Sequence, residues 1–195
     1  MEDPFSKIIA IVALGVSGLT MWLTLLRKGH IKMTQPTIFF FGPDGHKGLP
    51  KVYLRTLLYS TGKRGQIVES MFVKLRRGES VQTFNIWIYG DDHLARGSGI
   101  YVGYEGITCN HHFLLPKDGT AYEFLPGEYI GEVYISLLHS KATLLSRFNL
   151  SLTEQQSDAI RKNGSGVFFD WGPDSGKYHA HIDNRPLDEK RAFLL

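Results

Sequence analysis

The sequence predicts a mainly β protein: an N-terminal transmembrane helix followed by an antiparallel β-sandwich with a short helix and a C-terminal β-hairpin. Three observations predict it. Residues 8–26 are an unbroken run of uncharged, mostly apolar residues that stops at Arg27 and Lys28. Beyond them, short segments of branched and aromatic residues alternate with polar ones at regular spacing, which is the period of half-buried strands. A single stretch, near residue 153, carries paired helix start and stop signals.

The apolar run decides where the rest of the chain can sit. Its roughly 19 residues reach about 28 Å as a helix, close to the roughly 30 Å hydrocarbon layer of a bilayer. A cleavable signal peptide would be shorter and followed by small residues, whereas Arg27-Lys28-Gly29-His30 comes next here, so an uncleaved single-pass anchor is expected. Arg27, Lys28 and Lys32 lie on one side and Glu2, Asp3 and Lys7 on the other, so the positive-inside bias places residues 1–7 outside and the C-terminal domain in the cytoplasm, at the inner membrane. The expected organisation is a juxtamembrane linker at 27–35, a β-sandwich at 36–183 and a polar tail at 184–195. Setting aside the first 32 residues leaves 18 basic and 17 acidic side chains out of totals of 22 and 19. A domain so nearly neutral argues against nucleic-acid binding. Cys109 is the only cysteine, which excludes an internal disulfide framework.

Strands are expected at 37–41, 52–59, 66–76 and 81–89. In the third, Met71, Val73 and Leu75 alternate with Phe72, Lys74 and Arg76. In the fourth, Phe84, Ile86 and Ile88 share one face, and Trp87 and Tyr89 share the other. Shorter strands come next at 100–102 and 108–115, and the clearest one runs over 129–137, answered by 144–152. Thr153 with Gln156 forms a capping box, and Asn163-Gly164 a helix stop. Segments 167–171 and 177–182 read as the closing hairpin.

The stretch Phe124-Leu125-Pro126-Gly127-Glu128-Tyr129, a turn feeding a tyrosine at the head of a long alternating strand, resembles the tyrosine corner of immunoglobulin-like domains. The resemblance spans about residues 36–152 at the level of strand pattern and implies an immunoglobulin-like sandwich. Two features depart from it: there is no cysteine pair, and Trp87 falls on the more polar face of its strand. The layout is also similar to that of uncharacterised bacterial single-pass membrane proteins carrying a β-sandwich, a likeness that brings no activity with it.

Candidate chemistry is sparse. His179 and His181 share a strand face, as do Cys109 and His111, and if those strands were neighbours the four side chains could bind zinc. That set would support a metal-dependent enzyme. Asp91 and Asp92 beside His93 concentrate negative charge, and Arg96-Gly97-Ser98-Gly99 offers a cation with backbone donors. No Walker, GxGxxG or GxSxG motif occurs. Trp87 and Tyr89, with Arg96, form the candidate binding surface, either as an exposed strip for a protein or a sugar ring or as a face under the closing helix and hairpin. The hairpin's Phe168, Phe169 and Trp171 need a surface to bury against, which favours the covered arrangement. These features together point to a membrane-anchored domain that binds or scaffolds a protein partner. A metal-dependent enzyme and an exported carbohydrate-binding module are the alternatives.

Overall fold

The computed structural model describes residues 4–44, 48–90, 93–116 and 121–183. Asp91, Asp92 and the expected polar tail lie outside the described residues. The chain opens with helix α1 (Pro4–Met21), continued by a π-helical turn at Trp22–Leu26. No residue of either is buried against the rest of the molecule. Together they form a 23-residue helix of mean hydropathy 2.2, long and apolar enough to cross a membrane. Two of its hydroxyls are satisfied within the helix. Thr20 donates to the Val16 carbonyl at 2.8 Å and Thr24 to the Thr20 carbonyl at 2.7 Å, which is how hydroxyls are carried in an apolar medium.

Among the described residues thirteen strands come after it: β1 (Ile31–Met33), β2 (Ile38–Pro43), β3 (Pro50–Ser60), β4 (Gln66–Arg77), β5 (Ser80–Phe84), β6 (Ile86–Tyr89), β7 (Ala95–Arg96), β8 (Ile100–Val102), β9 (Ile107–Leu114), β10 (Gly127–Leu137), β11 (Thr143–Leu152), β12 (Gly166–Gly172) and β13 (Lys177–Asp183). Helix α2 (Glu154–Asn163) lies between β11 and β12. The larger sheet has the order β13-β12-β2-β3-β9-β6-β7, with β1 beside the end of β3. The smaller has the order β11-β10-β4-β5, with β8 beside the start of β4. Every ladder between strands is antiparallel.

Alternation explains the core. In β4 the inward set is Met71, Val73 and Leu75; in β10 it includes Tyr129, Val133 and Ile135; in β11 it is Phe148, Leu150 and Leu152, and all are buried. They meet Phe39, Phe41, Leu54, Phe113 and Phe169 of the larger sheet in one continuous cluster. Gly131 is required there: a Cβ would fall 2.0 Å from the Phe148 ring, which occupies that space. Helix α2 has the expected ends. Gln156 donates its N–H to the Thr153 hydroxyl, Thr153 donates its own to the Gln156 side chain, and Gly164 closes the helix at φ 62°.

Two expectations change. The segment 81–89 is not one strand: the ladder breaks at Asn85, and β5 stays with β4 while β6 crosses to pair with β9 in the larger sheet. Crossing resets which side chains face inward. Phe84 and Trp87 therefore both enter the core, Trp87 at 5 % exposure, and the second sheet covers Trp87. The closing hairpin instead extends the larger sheet, with β2, β3 and β9 between it and β6. The second change concerns residues 27–35, expected as a linker. β1 pairs with β3 through Ile31↔Ser60 and Met33↔Leu58, so the folded domain begins almost at the helix end.

Candidate functional site

β3 and β4 run the length of the sandwich in opposite directions, which defines two ends. The loop 61–65 between them lies beside the end of the N-terminal helix, because Lys28 bridges Arg64. The opposite end holds the start of β3 and the β4–β5 turn, about 35 Å away over the twelve residues of β4. At this far end lies a cleft of about 410 Å³, lined by Arg77, Ser80 and Gln82 from the β4–β5 hairpin and by Tyr122 and Glu123 from the segment leading to β10. A smaller cleft of about 170 Å³ shares Tyr122 and Glu123 and is completed by Pro43 and by Arg161 of α2.

Aromatic packing fixes the cleft wall. Phe124 stacks on Phe41 at 4.8 Å, and Tyr122 meets Phe84 edge-on at 5.3 Å. The Tyr129 hydroxyl donates to the Leu125 carbonyl at 2.6 Å and tethers the chain four residues upstream. Ser157 of α2 donates to the Phe124 carbonyl at 2.6 Å and holds the same segment from the other side. Burial pushes the Tyr122 hydroxyl well above the usual phenol range, the neighbouring Tyr129 adds to that, and the nearby Arg77 charge opposes it. Tyr129 is raised by burial as well, again opposed by Arg77. Both phenols remain protonated hydrogen-bonding groups at neutral pH.

The cleft therefore offers a guanidinium, the hydroxyls of Ser80 and Tyr122, an amide and, at Glu123, a carboxylate that pairs with Arg161 at 3.6 Å. Among the described residues the lining holds no histidine or cysteine, and Glu123 is its carboxylate. β5 forms the wall of this region and is the edge strand of the smaller sheet, so its outer backbone groups have no strand partner among the described residues.

The residues singled out from sequence are dispersed. His179 and His181 point outward from β13; Ser175 lies 2.9 Å from His179, and Asp170 lies 3.2 Å from His181. Cys109 and His111 point inward from β9, with three strands between them and β13. Four strand spacings separate the two pairs by roughly 19 Å, and they lie on opposite faces of the sheet, so the expected zinc ligands do not assemble. Among the described residues no group of three His, Cys, Asp or Glu side chains is placed to hold a metal ion. Within the core, Trp87 donates to His111 Nδ1 at 3.2 Å, and burial lowers the His111 pKa to about 4. Tyr89 donates to the Gly99 carbonyl at 2.6 Å, and Arg96 is exposed on the two-residue β7. The Trp87 and Tyr89 rings pack together at 4.7 Å with Trp87 buried, while Arg96 is exposed opposite Ile88, so the three form no common exposed surface.

The outer face of the larger sheet collects polar and aromatic groups that sequence reasoning missed. Phe40, Tyr53 and Phe168 cluster there, with the Lys51 ammonium 5.4 Å from the Phe40 ring. Burial brings the Lys51 pKa down to about 8 against the attraction of Asp44. His112 beside it is lowered to about 3 by burial, then by the charge of Lys51 and by His111. Tyr53 and Arg55 both donate to Asn110 Oδ1, at 2.9 and 3.0 Å. The cross-strand registers Tyr53↔His112 and Arg55↔Asn110 create this cluster, and a register is not visible in a single strand's sequence. In the distal cleft, the corner formed by Leu125 and Tyr129 carried a sequence signal, while Arg77 and Gln82 look like ordinary hairpin residues.

Comparison with known proteins adds little to this geometry. No protein-family model matches the chain, and no curated protein matches it. Among solved structures the chain is similar to the sporulation control protein Spo0M from Bacillus subtilis, at 12 % identity and a TM-score of 0.33, over 74 % of this chain and 67 % of that one. A likeness that distant carries no argument about what this protein does.

Proposed function

We propose that the protein is a single-pass membrane protein whose β-domain binds a protein partner at its membrane-distal end, on the cytoplasmic side. The observation that carries the reading is the helix Pro4–Leu26, which is predominantly apolar and buries nothing against its own domain. A surface of that length and hydropathy needs a bilayer to cover it. Basic Arg27 and Lys28 at its C-terminal end favour the cytoplasmic side for the β-domain. The distal cleft and the edge of β5 then lie about 35 Å from the membrane-facing end, where a partner's extended segment can add to the sheet and place side chains against Arg77, Gln82 and Tyr122.

A photo-crosslinking residue at Gln82 tests this in cells expressing the full chain, with a second one at exposed His179 as the control site. The expected result is a discrete adduct from position 82 that the control lacks and that Arg77→Glu diminishes, in membranes that keep the full-length chain after alkaline extraction. Recovery of a shortened chain in the soluble fraction would overturn the anchor, and equal adducts from both positions would overturn the distal site. A fusion reporter at the C-terminus, active only in the cytoplasm, checks the direction.

A further inference from the structure

The end of the sandwich beside the anchor helix carries exposed aromatic and apolar side chains set among cations. Tyr101 on β8 is 65 % exposed and Tyr104 in the turn after it 64 % exposed, and Ile67 and Leu138 are also open to solvent. Main-chain contacts gather them: Ile67 pairs with Tyr101, Leu138 donates to the Ile67 carbonyl at 3.1 Å, and Ser60 donates to the Gly103 carbonyl at 3.0 Å. The Tyr101 ring lies along the backbone at Gly65, where a Cβ would fall 2.3 Å from its hydroxyl. This patch adjoins the helix directly. Arg27 alone separates the end of the helix from Lys28, which bridges Arg64, and the Gln66 side chain donates to the Gly29 carbonyl at 2.8 Å. Arg27, Lys28 and Arg64 are exposed and Lys63 lies with them on the loop, and the carboxylates nearest in sequence to this patch are Glu69 and Glu105.

We propose that this end docks on the headgroup layer of an anionic phospholipid bilayer. Tyr101, Tyr104, Ile67 and Leu138 sit at the polar boundary, and Arg27, Lys28, Lys63 and Arg64 lie against lipid phosphates. The proposal rests on the reading of Pro4–Leu26 as a membrane span. Its chemistry is that of membrane interfaces, where tyrosine is enriched and each surface cation is drawn to anionic lipid. Two strand spacings, about 10 Å, connect Lys28 to β8, so the spanning helix keeps the patch within reach of the surface and docking holds it there. The domain is thereby fixed on the membrane in one tilt, rather than swinging on a tether.

Hydrogen exchange of the full chain in lipid nanodiscs tests this, comparing pure phosphatidylcholine with phosphatidylcholine containing phosphatidylglycerol. The expected result at low salt is exchange about fivefold or more slower in residues 61–67 and 100–105 in the anionic discs, with the difference erased at high salt. Lys63→Glu with Arg64→Glu abolishes the lipid dependence, and Tyr101→Ser with Tyr104→Ser reduces protection in both lipids. Exchange in residues 121–129 reports that each variant remains folded. Equal exchange in both lipids, or variants that change nothing, would overturn the docking and leave the anchor standing. A chain that fails to enter the discs would overturn the anchor, and the docking with it.

Discussion

The two ends of the sandwich are built by opposite means. At the anchor end, backbone meets backbone: a Cβ on Gly29 would lie 2.2 Å from the Gly62 nitrogen, His30 donates its N–H to the Thr61 hydroxyl at 2.8 Å, and Thr61 returns one to the His30 carbonyl at 2.9 Å. At the distal end, rings meet rings, with Phe41, Phe84, Phe124 and Tyr122 packed together and one tyrosine hydroxyl tying the chain back. The difference teaches where rigidity is needed. A helix end must be held in a fixed direction, which close backbone contact does; a cleft must keep a shaped wall, which packed aromatic rings do.

The comparison breaks most visibly at Phe124. Replacing it with alanine removes the ring between Phe41 and Phe84 and should cost about 4 kcal/mol, seen as a lower denaturation midpoint with the cleft lost and the anchor junction retained. If both ends melted together at that cost, the division into two differently built ends would be wrong.

Acid probes the core between them. The His111 imidazole is neutral in the fold with a pKa of about 4, while in the unfolded chain it takes up a proton below about 6.5. The unfolded state therefore binds more protons in that window, and stability falls as pH drops from about 6.5 to about 4, by up to roughly 3 kcal/mol from this group. Denaturation midpoints across that range should show the slope, and His111→Gln should reduce it to the part that His112 contributes; an unchanged slope would remove His111 as a source.

Gly29→Ala forces its Cβ into the Gly62 backbone and should cost about 2 kcal/mol, with faster exchange confined to residues 28–33 and 60–65. A change appearing instead at the distal end would show that the junction is not an independent clamp. The smallest effect is expected from Tyr129→Phe, which keeps the ring and loses the bond to Leu125, for about 1 kcal/mol and faster exchange in residues 121–125.

Much of the architecture was legible because it depends on local period. The inward faces of β4, β10 and β11, the caps of α2 at Thr153 and Gly164, and the closing hairpin all derive from side-chain alternation and end chemistry that a single segment contains. The turn before Tyr129 stood out in the sequence, but the hydroxyl's bond to Leu125 is a finding of the structure. Trp87 was misplaced because alternation was carried through Asn85, where the chain changes sheets and parity starts again. The candidate zinc set failed for a related reason. Spacing showed that His179 and His181 share a face, and so do Cys109 and His111, but strand order set the pairs apart.

What this sequence determined by itself was composition along one dimension: an apolar helix of membrane-spanning length, a nearly neutral β domain behind it, and the buried face of most strands. Tertiary structure alone decided which strands became neighbours, and therefore that Arg77 and Tyr122 share a cleft while Tyr101 and Lys28 share the opposite end. The physical reason is range. Burial periodicity and capping act within a few residues, whereas strand order is fixed by contacts between segments far apart in the chain, whose free energy belongs to the whole core rather than to any one of its parts.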